Sequence, residues 1–206
     1  MNRPENGGAE KPAGKAALTD TTTYRLTEKG LLVTSVLQPA EDCEKALLPA
    51  FLPRYGKAFA LPERFDTVHY LGRGGESYAD MKEQHPVREC VENVEWMTEP
   101  NIRPQESGNR MDCRFAALED GKMRVTFTAV EKPFELGIKP YTDTALLAMR
   151  HQKDEVRTGT YVTLSAFQMG IGTGSCGPET EDPYCYPADA EYRLQFLITA
   201  GPAKLQ

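Results

Sequence analysis

The sequence lacks any run near the ~18 apolar residues that a membrane-spanning helix needs, and its mean hydropathy is −0.51. Its N-terminus has no apolar stretch of the kind a secretory signal carries, so a cytoplasmic location is expected. Positive charge is in short supply: 24 Lys and Arg stand against 30 Asp and Glu, a net charge of −6. A phosphate backbone demands a basic face, so nucleic acid is excluded as a main partner. Cysteine pattern is missing as well. The five thiols, Cys43, Cys90, Cys113, Cys176 and Cys185, form no C-x-x-C pair. The three histidines, His69, His85 and His151, show neither H-E-x-x-H nor H-x-H spacing. No metal site, redox centre or cofactor is therefore expected, and the thiols read as reduced. Only Cys176 and Cys185 lie close enough in a loop to suggest a disulfide.

What is present fits one β-domain preceded by a leader. Met1–Asp20 has Gly, Pro, Ala and charges but no Val, Ile, Phe, Tyr, Trp or Cys, and reads as a flexible leader. Residues 21–206 form the expected domain. TTTYRLT and LLVTSVLQP read as two strands around a tight turn at Lys29-Gly30. YGKAFALP and FDTVHYLG follow as strands, and Glu41–Leu48 reads as a short helix or an acidic loop. KMRVTFTAV alternates, with Met123, Val125, Phe127 and Ala129 on one face. TYVTLSAFQM and EYRLQFLITA repeat the pattern, and Tyr192, Leu194, Phe196 and Ile198 share a face. Thr142–Arg150 reads as a helix of two or three turns behind a Thr cap. Many short strands and one short helix predict an all-β antiparallel sandwich.

Two motifs fail on inspection. Gly172-Thr-Gly-Ser-Cys-Gly177 matches G-x-G-x-x-G, but Pro178 follows at once. No helix can start there to face a pyrophosphate. Ser175 lies in T-G-S-C-G, one glycine short of a nucleophile elbow. His69 or His151 with a Glu could serve a mutarotase-like epimerase, but nothing in the sequence pairs them. A glycosidase needs two carboxylates ~5–10 Å apart, and abundance of acids does not locate such a pair.

Three polar clusters stand out. Tyr70-Leu-Gly-Arg-Gly-Gly-Glu-Ser-Tyr78 turns on glycine after a strand and projects Arg73, Glu76 and Tyr78 from a loop. Ile102-Arg-Pro-Gln-Glu-Ser-Gly-Asn-Arg110 gathers Glu106, Asn109 and Arg110 in a Gly/Pro-shaped loop that enters a strand. Phe167-Gln-Met-Gly-Ile-Gly-Thr-Gly-Ser-Cys-Gly-Pro-Glu179 adds Ser175 and Cys176. Such groups either pair with one another between sheets or present directed hydrogen bonds to a carbohydrate.

The three clusters, in this order, resemble the C-terminal domain, or small chain, of β-galactosidases of glycoside hydrolase family 2. YLGRGGESYADMK resembles the family's aromatic-x-G-x-G-P-x-E-x-Y-x-D-R signature, with Gly75 at the usual Pro and Met81-Lys82 at the usual Arg region. IRPQESGNRMDCRF resembles the P-Q-E-x-G-x-R segment, and FQMGIGTGSCGPET the M-G-x-G loop. PFELGIKPYTDTALLAMRHQKDE and LPRYGKAFALP resemble further family stretches, so the likeness runs from about Tyr24 to Ile198. The resemblance implies a super-sandwich related to galactose mutarotase. It also implies that the two catalytic glutamates lie on a separate (β/α)-barrel, for which this chain has neither βαβ alternation nor the ~250 residues required. The expected role is non-catalytic: a domain or small subunit that shapes the rim of a β-galactoside site and supports assembly with the barrel. The rim candidates are Arg73, Glu76, Tyr78, Glu106, Asn109, Arg110, Ser175 and Cys176. Cys176 stands where the best-known members place a sugar-lining tryptophan. The family domain begins well upstream of the Tyr24 strand, so that part is expected to be missing, with unpaired edges inviting self-association. The rival from another class is a stand-alone carbohydrate-binding or mutarotase-like protein.

Overall fold

A computed structural model describes residues 16–172 and 179–203. The strands are β1 (Leu18–Thr27), β2 (Gly30–Pro39), β3 (Arg54–Leu61), β4 (Thr67–Arg73), β5 (Val87–Asn93), β6 (Arg110–Cys113), β7 (Phe115–Glu119), β8 (Met123–Ala129) and β9 (Phe134–Lys139). A single α-helix, α1 (Asp143–Ala148), precedes β10 (Thr160–Gln168) and β11 (Tyr192–Pro202). They form a seven-stranded sheet, β1-β2-β11-β8-β7-β4-β5, and a four-stranded sheet, β3-β10-β9-β6. Every strand pair is antiparallel. Among the described residues no helix is long and apolar enough to cross a membrane, and Cys43, Cys90, Cys113 and Cys185 are free thiols.

The alternating strands meet face to face. Phe59 of β3 packs at 5.2 Å on Phe127 of β8 and at 5.8 Å, edge-on, against Phe196 of β11. These rings join the two sheets. Val33, Val68, Tyr70, Leu118, Leu136, Ile138, Val162 and Leu164 fill the rest of the interior. Each such side chain contributes roughly 1.5–3 kcal/mol by leaving water. At β1, an edge strand of the larger sheet, Tyr24 and Leu26 stay 62% and 83% exposed.

Several sequence expectations shift by a few residues. β1 begins at Leu18, so the last three residues assigned to the leader lie in the sheet, and Asp20 accepts hydrogen bonds from Ser35, Tyr55 and Lys57. The first turn is Glu28–Lys29, and Gly30 already pairs with Thr27. Between Glu41 and Leu48 only a 3-10 turn forms, at Lys45–Leu47. Thr142 does cap α1, its Oγ1 accepting from the Ala145 N–H at 3.0 Å. The helix is nevertheless six residues long, shorter than the two or three turns expected. Met149 is extended, and the Asp154 carboxylate then collects the N–H groups of Arg150 and His151 at 3.0 Å each, turning the chain away.

Two irregularities sit where the motif segments meet the sheets. β10 shifts register against β3 between Ser165 and Phe167. β6 shifts against β9 between Arg110 and Cys113, where Asp112 adopts φ 56°. Bulges of this kind re-aim side chains and end regular pairing.

Candidate functional site

The three motif segments are joined by four ties. The Glu76 Oε1 accepts from the Gly108 N–H at 2.8 Å and from the Tyr78 hydroxyl at 2.9 Å. Gly108 has φ 82°, and a Cβ there would lie 2.0 Å from the Met97 carbonyl oxygen, so only glycine can bring this N–H to Glu76. The second tie runs through Ser77 and Asn109. The Ser77 N–H donates to the Asn109 carbonyl at 2.8 Å, and Asn109 Nδ2 returns a bond to the Ser77 carbonyl at 2.9 Å.

Glu135 of β9 makes the third tie. Its Oε2 accepts from Asn109 Nδ2 at 2.6 Å and its Oε1 from the Gln168 N–H at 3.1 Å. One carboxylate thus clamps the second motif to the start of the third. Glu135 is 5% exposed. Burial pushes its carboxyl up to about 7, against the pull of the Asn109 and Gln168 hydrogen bonds; Asp112 adds to the rise and Lys82 opposes it. The fourth tie is Asp80, whose carboxylate accepts from the Ile171 and Gly172 N–H groups at 3.3 and 2.5 Å. Where the chain after the first segment meets the third lies a cavity of about 440 Å³, with Asp80, Met81, Gln84, Gly172, Glu179 and Tyr184 among its walls.

The other candidate residues point elsewhere. Arg73 donates from Nε to Asp112 at 2.7 Å and from Nη1 to the carbonyls of Lys82 and His85 at 2.7 and 2.9 Å. It holds the 82–85 turn against the β6 bulge. Arg110 is buried, donating from Nη2 to Glu92 at 3.2 Å and from Nε to the Tyr70 hydroxyl at 3.3 Å. Burial works against its charge, but Glu92 and Tyr70 outweigh that and hold the guanidinium firmly protonated. Burial, reinforced by Glu92, keeps Tyr70 a neutral phenol far above its usual range. Glu106 faces a separate charged ring: it accepts from Arg54 at 3.2 Å and Lys139 at 2.5 Å, and Asp143 accepts from the same two cations at 2.9 and 2.7 Å. Ser175 and Cys176 lie outside the described residues.

The structure therefore brings Glu76, Tyr78 and Asn109 into one network and sets Arg73, Arg110 and Glu106 in three others. Sequence reading missed Glu135, Asp80 and Glu92, because the abundance of acids singles none of them out. A signal for Glu135 existed: it stands between Phe134 and Leu136 in a strand buried at five of six positions. An acid in such a run needs buried donors.

Residues 8–198 match the family model described as β-galactosidase small chain. The chain is 30% identical to the β-galactosidase of Staphylococcus xylosus over 166 residues, which cover 80% of this chain and 16% of that protein. It is 31% identical over 180 residues to the β-galactosidases of Streptococcus thermophilus and of Lactobacillus delbrueckii subsp. bulgaricus, covering 85% and 86% of this chain and 17% of each relative. The chain thus spans about one sixth of the length of the curated relatives it matches.

Proposed function

The chain belongs to the β-galactosidase small-chain family, and from that premise we propose that it serves as a non-catalytic domain or small subunit of a β-galactosidase, walling one side of the sugar site. The carboxylates that cleave the glycoside lie, in this reading, on a separate barrel with which it assembles. The observation that carries the proposal is the convergence of the three motif segments through Glu76, Asn109, Glu135 and Asp80. These ties spend side-chain hydrogen bonds on loop shape. A rim that positions substrate for another domain's chemistry needs fixed backbone more than free side chains. Glu76, Tyr78 and Asn109 set the loop path, while Arg73 and Arg110 brace its two ends. The exposed β1 edge, with Tyr24 and Leu26, suits pairing with a second copy or a larger partner.

The test is complementation. The pure chain should not hydrolyse an aryl β-galactoside above background. Mixing it with a β-galactosidase polypeptide that carries the barrel but lacks this part should restore turnover. Glu76→Ala and Asn109→Ala should raise the KM of the restored enzyme more than they lower its kcat. Robust turnover by the pure chain, abolished by changing one of its own acids, would overturn the proposal. Light scattering tests the edge: a strict monomer at high concentration, without change on adding the barrel polypeptide, removes the pairing role.

A further inference from the structure

A second cleft, of about 550 Å³, lies between the β8–β9 turn and the start of β11 and shares no wall with the motif cavity. Its volume falls in the ~300–1,000 Å³ range of small-molecule sites. Three aromatic residues contribute to its lining. Tyr186 stacks on buried Phe167 at 4.1 Å and 15°, and Tyr192 leans on Phe167 at 4.3 Å and 52°. The Tyr192 hydroxyl donates to the Pro187 carbonyl at 2.7 Å, which fixes its ring. Both tyrosines remain half-buried despite this packing. Charged groups of both signs share the lining: Arg193 donates from Nε to Glu131 at 3.1 Å, with Lys132 and Glu191 beside them in the chain. The Arg193 and Glu131 side chains are 43% and 51% exposed, so they are within reach of solvent and of a solute.

We propose that this cleft is a second carbohydrate-binding site, one that takes a pyranose ring. A pyranose has an apolar C–H face and a rim of hydroxyls that both donate and accept. The rigid Tyr186–Phe167–Tyr192 group supplies the first surface at little entropic cost. The Arg193–Glu131 pair supplies a donor fork and an acceptor side by side, matched to adjacent hydroxyls. A polyanion is disfavoured by Glu131 and Glu191, and a purely apolar ring would leave the ion pair desolvated without new partners. The site is independent of the rim proposal.

The experiment is an amide-resolved NMR titration of the full chain with galactose and lactose, with myo-inositol as a flat-faced polyol control and indole as an apolar ring. Expected are saturable shifts at Lys132, Tyr186, Tyr192 and Arg193 with the sugars, at millimolar concentrations, and weaker ones with inositol. The Glu131→Ala/Arg193→Ala double variant, checked for an unchanged spectrum elsewhere, should lose at least tenfold in affinity. Shifts confined to Asp80 and Ile171 would overturn the proposal, as would equal response to inositol, binding of indole alone, or undiminished binding by the double variant. Complementation of a barrel polypeptide is read separately, and its failure would count against the rim role without touching this site.

Discussion

The segment from Glu106 to Asn109 is tethered to β9 twice, and the two tethers are built on opposite terms. At one end Asn109 holds Glu135, an acid 5% exposed with no cation among its hydrogen-bond partners. At the other, Glu106 meets Lys139 inside a ring completed by Arg54 and Asp143, with Glu106 and Asp143 side chains 39% and 52% exposed. The first tether places a charge where water cannot screen it and relies on two N–H donors. The second balances two cations with two carboxylates that reach solvent, so salt weakens the Arg54 pairs most, while Lys139 itself is buried and its pairs are screened less. Four residues apart, β9 thus carries a buried carboxyl that makes the first tether pH-sensitive and an ammonium that anchors the second in a ring of ion pairs.

Titration should separate them most strongly. The Glu135 carboxyl is raised from 4.5 to about 7 in the fold. Below about 4.5 both folded and unfolded chains hold the proton, and the site contributes fully. As pH rises from 4.5 to 7 the unfolded chain ionises first, and stability is lost through that window. Wild type should fall by about 3 kcal/mol relative to Glu135→Gln between pH 4.5 and 7.5, as read by urea denaturation at each pH. A flat difference would show that Glu135 titrates normally. The charged groups that bear on it, Asp112 and Lys82, are unchanged in both proteins.

A smaller effect is expected from Asn109→Ala, which leaves the Glu135 Oε2 and the Ser77 carbonyl without that donor. Losing donors to buried acceptors costs about 2 kcal/mol, and the loss should be greater at pH 7.5 than at pH 5, because the charged carboxylate needs the donor more. The smallest belongs to the ring. Asp143→Asn should cost under about 1 kcal/mol, because Glu106 still pairs with Lys139, and 0.5 M salt should erase part of it. If Asp143→Asn costs more than Asn109→Ala, the ranking of the two tethers is wrong.

Seven of the strands, β1, β2, β3, β4, β8, β10 and β11, were legible in the sequence, because they alternate or are punctuated by Gly and Pro, and faces were legible for β8 and β11. β5, β7 and β9 were not legible as strands, and β6 only as an unbounded strand entered from the second motif. β5, VRECVEN, is an edge strand whose charges mask its period. β6 is four residues long and broken by a bulge at Asp112. β9 is buried at Phe134, Glu135, Leu136, Ile138 and Lys139, so no two-residue alternation appears. The candidate residues were legible as chemistry but not as partners. Arg73, Glu106 and Arg110 each pair with a residue outside their own motif: Asp112, Lys139 and Glu92.

By itself the sequence determined the antiparallel class, the capped start of α1 and the order of the three motif segments, since periodicity, caps and glycine conformations act over a few residues. Only the tertiary structure decided which acid is buried and which donors meet it. Glu135, Asn109 and the Gln168 N–H are separated by 26 and 33 residues and lie on three different segments. Their energies depend on the exclusion of water from the space where those segments meet, and that space exists only once both sheets have closed upon it.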